Sequence, residues 1–138
     1  MSDVSSALPL DGAPYDFIVI GAGSAGCVLA ARLSEDGRRK VLLLEAGPRD
    51  RNPWIHLPMG YSKLYTDGRY NWMYESEPES ALHERVLYQP RGKVLGGSSS
   101  INGMMYVRGN ALDFDDWARA GCAGWAYDDV LPYFRKAE

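Results

Sequence analysis

Residues 15–26 read YDFIVIGAGSAG and residues 40–45 read KVLLLE; these two stretches decide the fold. Tyr15 to Ile20 is short, β-branched and aromatic, with almost no polar break after Asp16. That composition suits a strand buried on both faces of a parallel sheet. The run stops at Gly21. Residues Gly21 to Gly26 fit G-x-G-x-x-G, and Cys27 to Leu33, rich in Ala and Leu, reads as a helix ending near Gly37. Lys40 to Glu45 is a second buried strand closed by an acid. Strand, glycine turn, helix and strand form the βαβ unit of an α/β fold.

Each residue of the turn has a physical reason. Gly21 allows the tight bend, Gly23 leaves room for a pyrophosphate to approach the backbone, and Gly26 lets the helix pack close to the strand. The helix N-terminus offers unpaired N–H groups and a partial positive charge to the phosphate. Glu45, at the end of the second strand, is placed to accept hydrogen bonds from a ribose of the adenosine half. A βαβ unit with a tight turn and no ligand explains Gly26 but gives no reason for Gly23 or Glu45. The stretch therefore points to a dinucleotide site.

The composition narrows the function. The chain has 138 residues, 15 Lys+Arg against 18 Asp+Glu, and a net charge of −3, with a pI near 5.4. A mildly acidic chain lacks the basic excess that covers phosphates, so nucleic acid is not expected as a partner. Hydrophobic residues make up 46% and charged residues 24%, an ordinary globular balance. Cys27 and Cys122 are too few for a disulfide framework and lack metal-ligand spacing. They read as reduced, partly buried thiols, and no metal is expected. Residues 1–14 have no positive n-region, no long apolar run and no Arg, so they read as a flexible leader and the protein as cytoplasmic. No stretch approaches the ~20 apolar residues of a membrane-spanning helix.

From Ala46 to Arg91 there is no convincing period of 3.6 or 2. The segment carries Pro48, Pro53, Pro58, Pro78 and Pro90 and many aromatics, among them Trp54, Tyr65, Trp72, Tyr74 and Tyr88. The aromatics read as packing that needs a partner to cover it. His56 and His83 read as surface or hydrogen-bonded loop residues, Arg69 and Arg85 as solvated charges. A structureless stretch of this length counts against a self-contained domain. The expectation is that these residues are the N-terminal piece of a longer chain.

A second glycine motif follows. Residues 90–110 read PRGKVLGGSSSINGMMYVRGN. Small residues at 96–100 leave backbone N–H and hydroxyl groups open to a phosphate or ring edge. Ser98 or Ser99 is a suitable cap for a helix running through Met105. A plain Gly-Ser turn before a helix explains the residues equally well when the motif is taken alone.

Residues 92–102, followed by Tyr106, Gly109 and Asp115, resemble the first signature of the glucose-methanol-choline (GMC) oxidoreductase family, whose members depend on FAD. GAGSAG and LLLEAG add to the resemblance, which covers residues 15–138. The end, Arg108 through Glu138, most resembles the choline-dehydrogenase and bacterial alcohol-dehydrogenase branch. The resemblance implies an N-terminal portion of a Rossmann-like FAD-binding domain over residues 15–138: a βαβ unit, a long flavin-covering loop and helices. The substrate domain is absent, and the fold is incomplete without a C-terminal remainder of the same chain.

It also implies roles. Gly21, Gly23, Ser24, Ala25 and Gly26 cradle the pyrophosphate. Glu45 holds the ribose and Ala46 lines the adenine side. Val94 and Ser98 contact the cofactor along the second motif. Asn102, Gly103, Met104 and Met105 lie along the flavin. Some relatives carry a flavin-linking His just before the motif's Asn; Ile101 stands there, so FAD is expected to be non-covalent. Members oxidise a primary alcohol to an aldehyde by hydride transfer to flavin N5, with oxygen or a quinone as electron acceptor. The His base is expected C-terminal to residue 138, so no catalytic residue is assigned in this segment. Rival readings are an NAD(P)-dependent dehydrogenase, which leaves the Gly-Gly-Ser-Ser-Ser run without a purpose, a cyanohydrin-cleaving lyase on the same flavin fold, and a non-catalytic nucleotide-binding module.

Overall fold

The structure is a computed structural model that describes Gly12 and residues 14–138; the rest of the expected leader lies outside the described residues. One compact unit ends at Met104 and a second runs from Met105 to Glu138. Each is described by itself.

In the first unit, strand β1 (Phe17–Ile20) pairs in parallel with β2 (Val41–Leu44), in register Phe17 with Val41 through Ile20 with Leu44. The Asp16 carboxylate accepts the Lys40 N–H (2.7 Å) at one end. At the other, the Gly21 N–H donates to the Leu44 carbonyl (2.7 Å). Helix α1 (Ser24–Ser34) crosses between them, one turn longer at its start than the sequence suggests. It covers Val19, which is 9% exposed. Successive strand residues face opposite sides, so Ile18 and Ile20 point the other way and stand 60% and 85% exposed. The expected burial of β1 on both faces is therefore corrected: among the described residues only one face is covered.

The stretch after β2 has more structure than its lack of period suggests. Short 3-10 turns cover Pro53–Ile55, Pro58–Gly60 and Ser80–Leu82, with helix α2 at Tyr61–Leu64. Strands β3 (Tyr74–Glu75) and β4 (Tyr88–Gln89) form a small antiparallel ribbon. The core here is Leu64, Val94 and Ile101, each at most 2% exposed, with Ile55 and Tyr70 packed against them. The helix expected to run through Met105 does not form. A 3-10 turn, Gly97–Ser100, stops at Ile101. The Asn102 side chain then accepts the Met104 N–H (2.8 Å), and Met104 takes a left-handed φ of 57°. That local bond offers the backbone an alternative to helix.

The second unit is a helix pair, α3 (Ala111–Arg119) and α4 (Tyr127–Ala137). Asn110 caps α3 by accepting the Leu112 N–H (3.1 Å), and Asp115 accepts the Tyr127 N–H (3.0 Å). Phe114 packs edge-on against Trp117 and Phe134 at 5.1 and 5.7 Å between ring centres. Glu138 takes two hydrogen bonds from the Arg108 guanidinium (2.7 and 2.6 Å), which hold its carboxyl below the usual range. Among the described residues no helix is long and apolar enough to cross a membrane.

Candidate functional site

The two glycine bends meet backbone to backbone. The Gly96 N–H donates to the Ala22 carbonyl (2.8 Å), and a Cβ on Gly97 would lie 2.7 Å from the Gly23 Cα. Gly21 turns with φ +91°. A Cβ on Gly26 would lie far inside contact with the Gly21 carbonyl oxygen and 3.4 Å from Val19 Cγ1. These glycines are explained by the chain itself. Gly23 is different: its backbone is extended, and a Cβ there would meet only Gly97 Cα at 3.8 Å, an ordinary contact. Nothing in the described chain fills the space beside it.

That space belongs to a groove of about 680 Å³, within the range of small-molecule sites. Its lining includes Gly21, Gly23, Ser24, Ala25, Gly26, Glu45, Ala46 and Ser98. The start of α1 has no side-chain cap and no acid in its first turn. Its first N–H groups, which like those of any helix have no intrahelical acceptor, therefore lack a capping side chain too, and they bring the positive end of the helix dipole to the groove wall. Glu45 supplies the opposite character. Its Oε2 accepts the Ala22 N–H (2.8 Å) and its Oε1 the Gly47 N–H (2.9 Å). A carboxylate has about four acceptor sites, so Glu45 can brace both turns and still accept a hydroxyl. This arrangement sets an anion-binding helix end beside a free hydroxyl acceptor.

The second motif divides its expected residues. Ser98 reaches the groove, and its Oγ accepts the Gly92 N–H (3.0 Å). The Ser99 and Ser100 hydroxyls are turned back onto the Gly96 and Leu95 carbonyls, which corrects the expectation of open hydroxyls. Val94 does not line the groove with its side chain; it is fully buried in the core beside Leu64 and Ile101, so its part is packing. Asn102 and Met104 line a separate small cavity with Trp54, Leu57 and Tyr61. Gly103 is exposed. Met105, 89% exposed, belongs to the second unit.

Sequence reasoning missed Trp72 and Arg91, which both line the groove. The sequence reads Trp72 as packing. Its ring stacks on Tyr74, with 5.9 Å between centres, and the Lys93 ammonium lies 4.6 Å from its centre, a cation–π distance. The clue in the sequence was a run of aromatics with too few aliphatic residues to bury them. Of the residues read as bystanders, His56 is held by its Nε2 contact to the Asp50 carbonyl (2.6 Å). Arg69 is not merely solvated, because it forms a two-pronged pair with Asp67 (3.1 and 2.8 Å) that holds the Asp67 carboxyl below its usual range. Cys27 and Cys122 are exposed rather than partly buried.

Comparison with known proteins gives consistent findings. Residues 15–138 match the GMC oxidoreductase family. An oxygen-dependent choline dehydrogenase from Photobacterium profundum is 56% identical over 124 residues, covering 90% of this chain and 22% of that protein. Among solved structures, pyridoxine 4-oxidase from Mesorbium loti aligns with a TM-score of 0.81 at 40% identity, over 88% of this chain and 24% of that one. A variant formate oxidase from Aspergillus oryzae, studied for FAD modification, aligns with a TM-score of 0.78 at 36% identity, over 86% and 21%. The chain thus spans less than a quarter of the length of these relatives.

Proposed function

The chain belongs to the GMC oxidoreductase family, and from that premise we propose that its groove holds FAD for an enzyme that oxidises a primary alcohol to an aldehyde. One observation carries the reading: the uncapped start of α1 and the open space beside Gly23 face the same groove as the Glu45 carboxylate. The residues present fit the group. N–H groups of Ser24, Ala25 and Gly26 bind the pyrophosphate, as helix N-termini bind anions, and Gly21, Gly23 and Ser98 shape the wall beside it. Glu45 accepts a ribose hydroxyl while its amide bonds keep the carboxylate aimed. Ala46 lines the adenine side, and Asn102, Gly103 and Met104 lie along the flavin. Val94 supports the second bend from the core.

The chemistry that FAD supplies when bound is uptake of hydride from the alcohol carbon. This chain's own contribution is to bind and orient. No residue in it is assigned as the base, a role the reading places C-terminal to residue 138. The choline dehydrogenase relative favours a small alcohol of that kind as substrate. Ile101 has no nucleophile and is 2% exposed in the core, which supports a non-covalent cofactor. A cytoplasmic location is part of the same proposal and is checked by cell fractionation.

The test is a spectrum of the protein purified in the full length in which it is made. The expected result is a flavin band that an added primary alcohol bleaches under anaerobic conditions, with yellow colour left in the supernatant after acid precipitation. A colourless protein that takes up no FAD overturns the cofactor reading. Colour in the pellet overturns the non-covalent part alone.

A further inference from the structure

Asn71 is 1% exposed and does not line the groove, yet it sits between the parts of the chain that bring Trp72 and Arg91 there. A carboxamide can donate two hydrogen bonds and accept two, and Asn71 makes all four. Its Nδ2 donates to the Tyr65 carbonyl (3.0 Å) and to the Tyr88 hydroxyl (2.8 Å). Its Oδ1 accepts the N–H groups of Met73 and Arg91 (2.9 Å each). The Tyr88 hydroxyl also donates to the Tyr65 carbonyl. Around this node the backbone is cross-linked, with the Trp72 N–H donating to the Arg91 carbonyl and the Lys93 N–H to the Tyr70 carbonyl (2.8 Å each).

We propose that Asn71 is a positioning residue for the cofactor groove, fixing through its Oδ1 the backbone from which Trp72 and Arg91 reach the groove wall. This rests on the reading of the groove as the FAD site. A buried polar side chain with every bond made specifies one arrangement of its neighbours. A merely structural Asn would be served as well by any partner set within the core. Here the two acceptor bonds go to the residue after Trp72 and to Arg91 itself. With no acceptor at position 71, the Arg91 and Met73 N–H groups lose their part-buried partner, and the backbone beside them shifts to find new ones. The groove wall moves with them.

The experiment uses the full-length protein stripped of flavin and titrated with FAD. The variants are Asn71→Leu, the milder Asn71→Ser, Tyr88→Phe and Leu64→Ala. Leu64 is in the core and does not line the groove, so Leu64→Ala serves as a stability-matched control. The expected result is that FAD affinity falls about tenfold to a hundredfold in Asn71→Leu or Asn71→Ser. The band of the bound flavin should shift as well. Tyr88→Phe, which leaves both Oδ1 bonds in place, should stay within about threefold of wild type. Equal FAD affinity in the Asn71 variants and in Leu64→Ala, at matched melting temperature, overturns the proposal. Failure of the unaltered protein to bind FAD overturns the cofactor reading instead, and the positioning role falls with it.

Discussion

Gly23→Ala separates the groove from the fold. The backbone at Gly23 is extended (φ −80°, ψ −170°), a conformation open to any residue. The new methyl meets Gly97 Cα at 3.8 Å, so packing costs almost nothing. Gly23 is also the cap position of α1, where Ala is the poorer residue by about 1 kcal/mol. The flavin-free protein should therefore lose about 1 kcal/mol of stability. The methyl does occupy the space from which an anion reaches the α1 N–H groups at a normal bond length of about 2.9 Å. Loss of one charge-assisted bond, worth about 1.5–3 kcal/mol, corresponds to a fall in FAD affinity of about tenfold to a hundredfold. Gly26→Ala is the contrasting case. Helix propensity alone favours Ala by about 1 kcal/mol, but its Cβ runs into the Gly21 carbonyl, whose carbon is 3.1 Å away and has no flexible end to move. Overpacking of that kind costs about 1–3 kcal/mol, so this variant should lose stability and flavin together. Urea unfolding of the flavin-free proteins and FAD titration by flavin fluorescence read the two quantities separately. A Gly23→Ala protein that binds FAD within about threefold of wild type refutes the reasoning.

Gly97→Ala places a Cβ 2.7 Å from Gly23 Cα at φ +58°; strain and contact together should cost about 1–3 kcal/mol, read by urea unfolding. Glu45→Gln keeps one acceptor and loses the charge-assisted bond to either Ala22 or Gly47. It should lower stability by about 1–3 kcal/mol and weaken FAD binding, whereas unchanged values in both assays count against the bracing role. Asp67 has its carboxyl lowered mainly by the Arg69 hydrogen bond, so the pair's stabilisation is present above pH 3.8, the ordinary value, and is lost as pH falls through the lowered one. Asp67→Asn should flatten the acid limb of a stability-against-pH curve, and an unchanged limb shows that the pair contributes nothing there.

The first glycine bend was legible because its logic is local: an apolar run, φ-permissive residues and a second apolar run occur in order along the chain. The early start of α1 was not, since Ser24 and Gly26 are weak helix formers and only the close approach of the Gly21 carbonyl makes a glycine at 26 suitable. The middle of the chain gave no period because its backbone bonds either close short 3-10 turns and a two-residue ribbon or go to side chains. Asn52, Asp67, Asn71 and Glu79 each accept from main-chain N–H groups, and such bonds leave no spacing to read. The resemblance implies a cofactor contact for Val94 because it sits inside a ligand motif, but only the folded chain shows its side chain packed with Leu64 and Ile101. The bracing role of Glu45 needed the knowledge that Ala22 lies beside it. Trp72 needed its partners, Tyr74 and Lys93.

The bond between Ala22 and Gly96 has a consequence for the order of events at the ribosome. The strand-turn-helix that starts the chain forms early from nearby residues, but closing a long loop carries an entropic cost that is met only when its far end is available. The wall supplied by residues 91–98 therefore arrives after everything between it and β2 has been synthesised and arranged. Until Gly96 is made the Ala22 carbonyl lacks its partner and the start of α1 has no wall opposite it, so the groove belongs to a late stage of maturation rather than to its beginning.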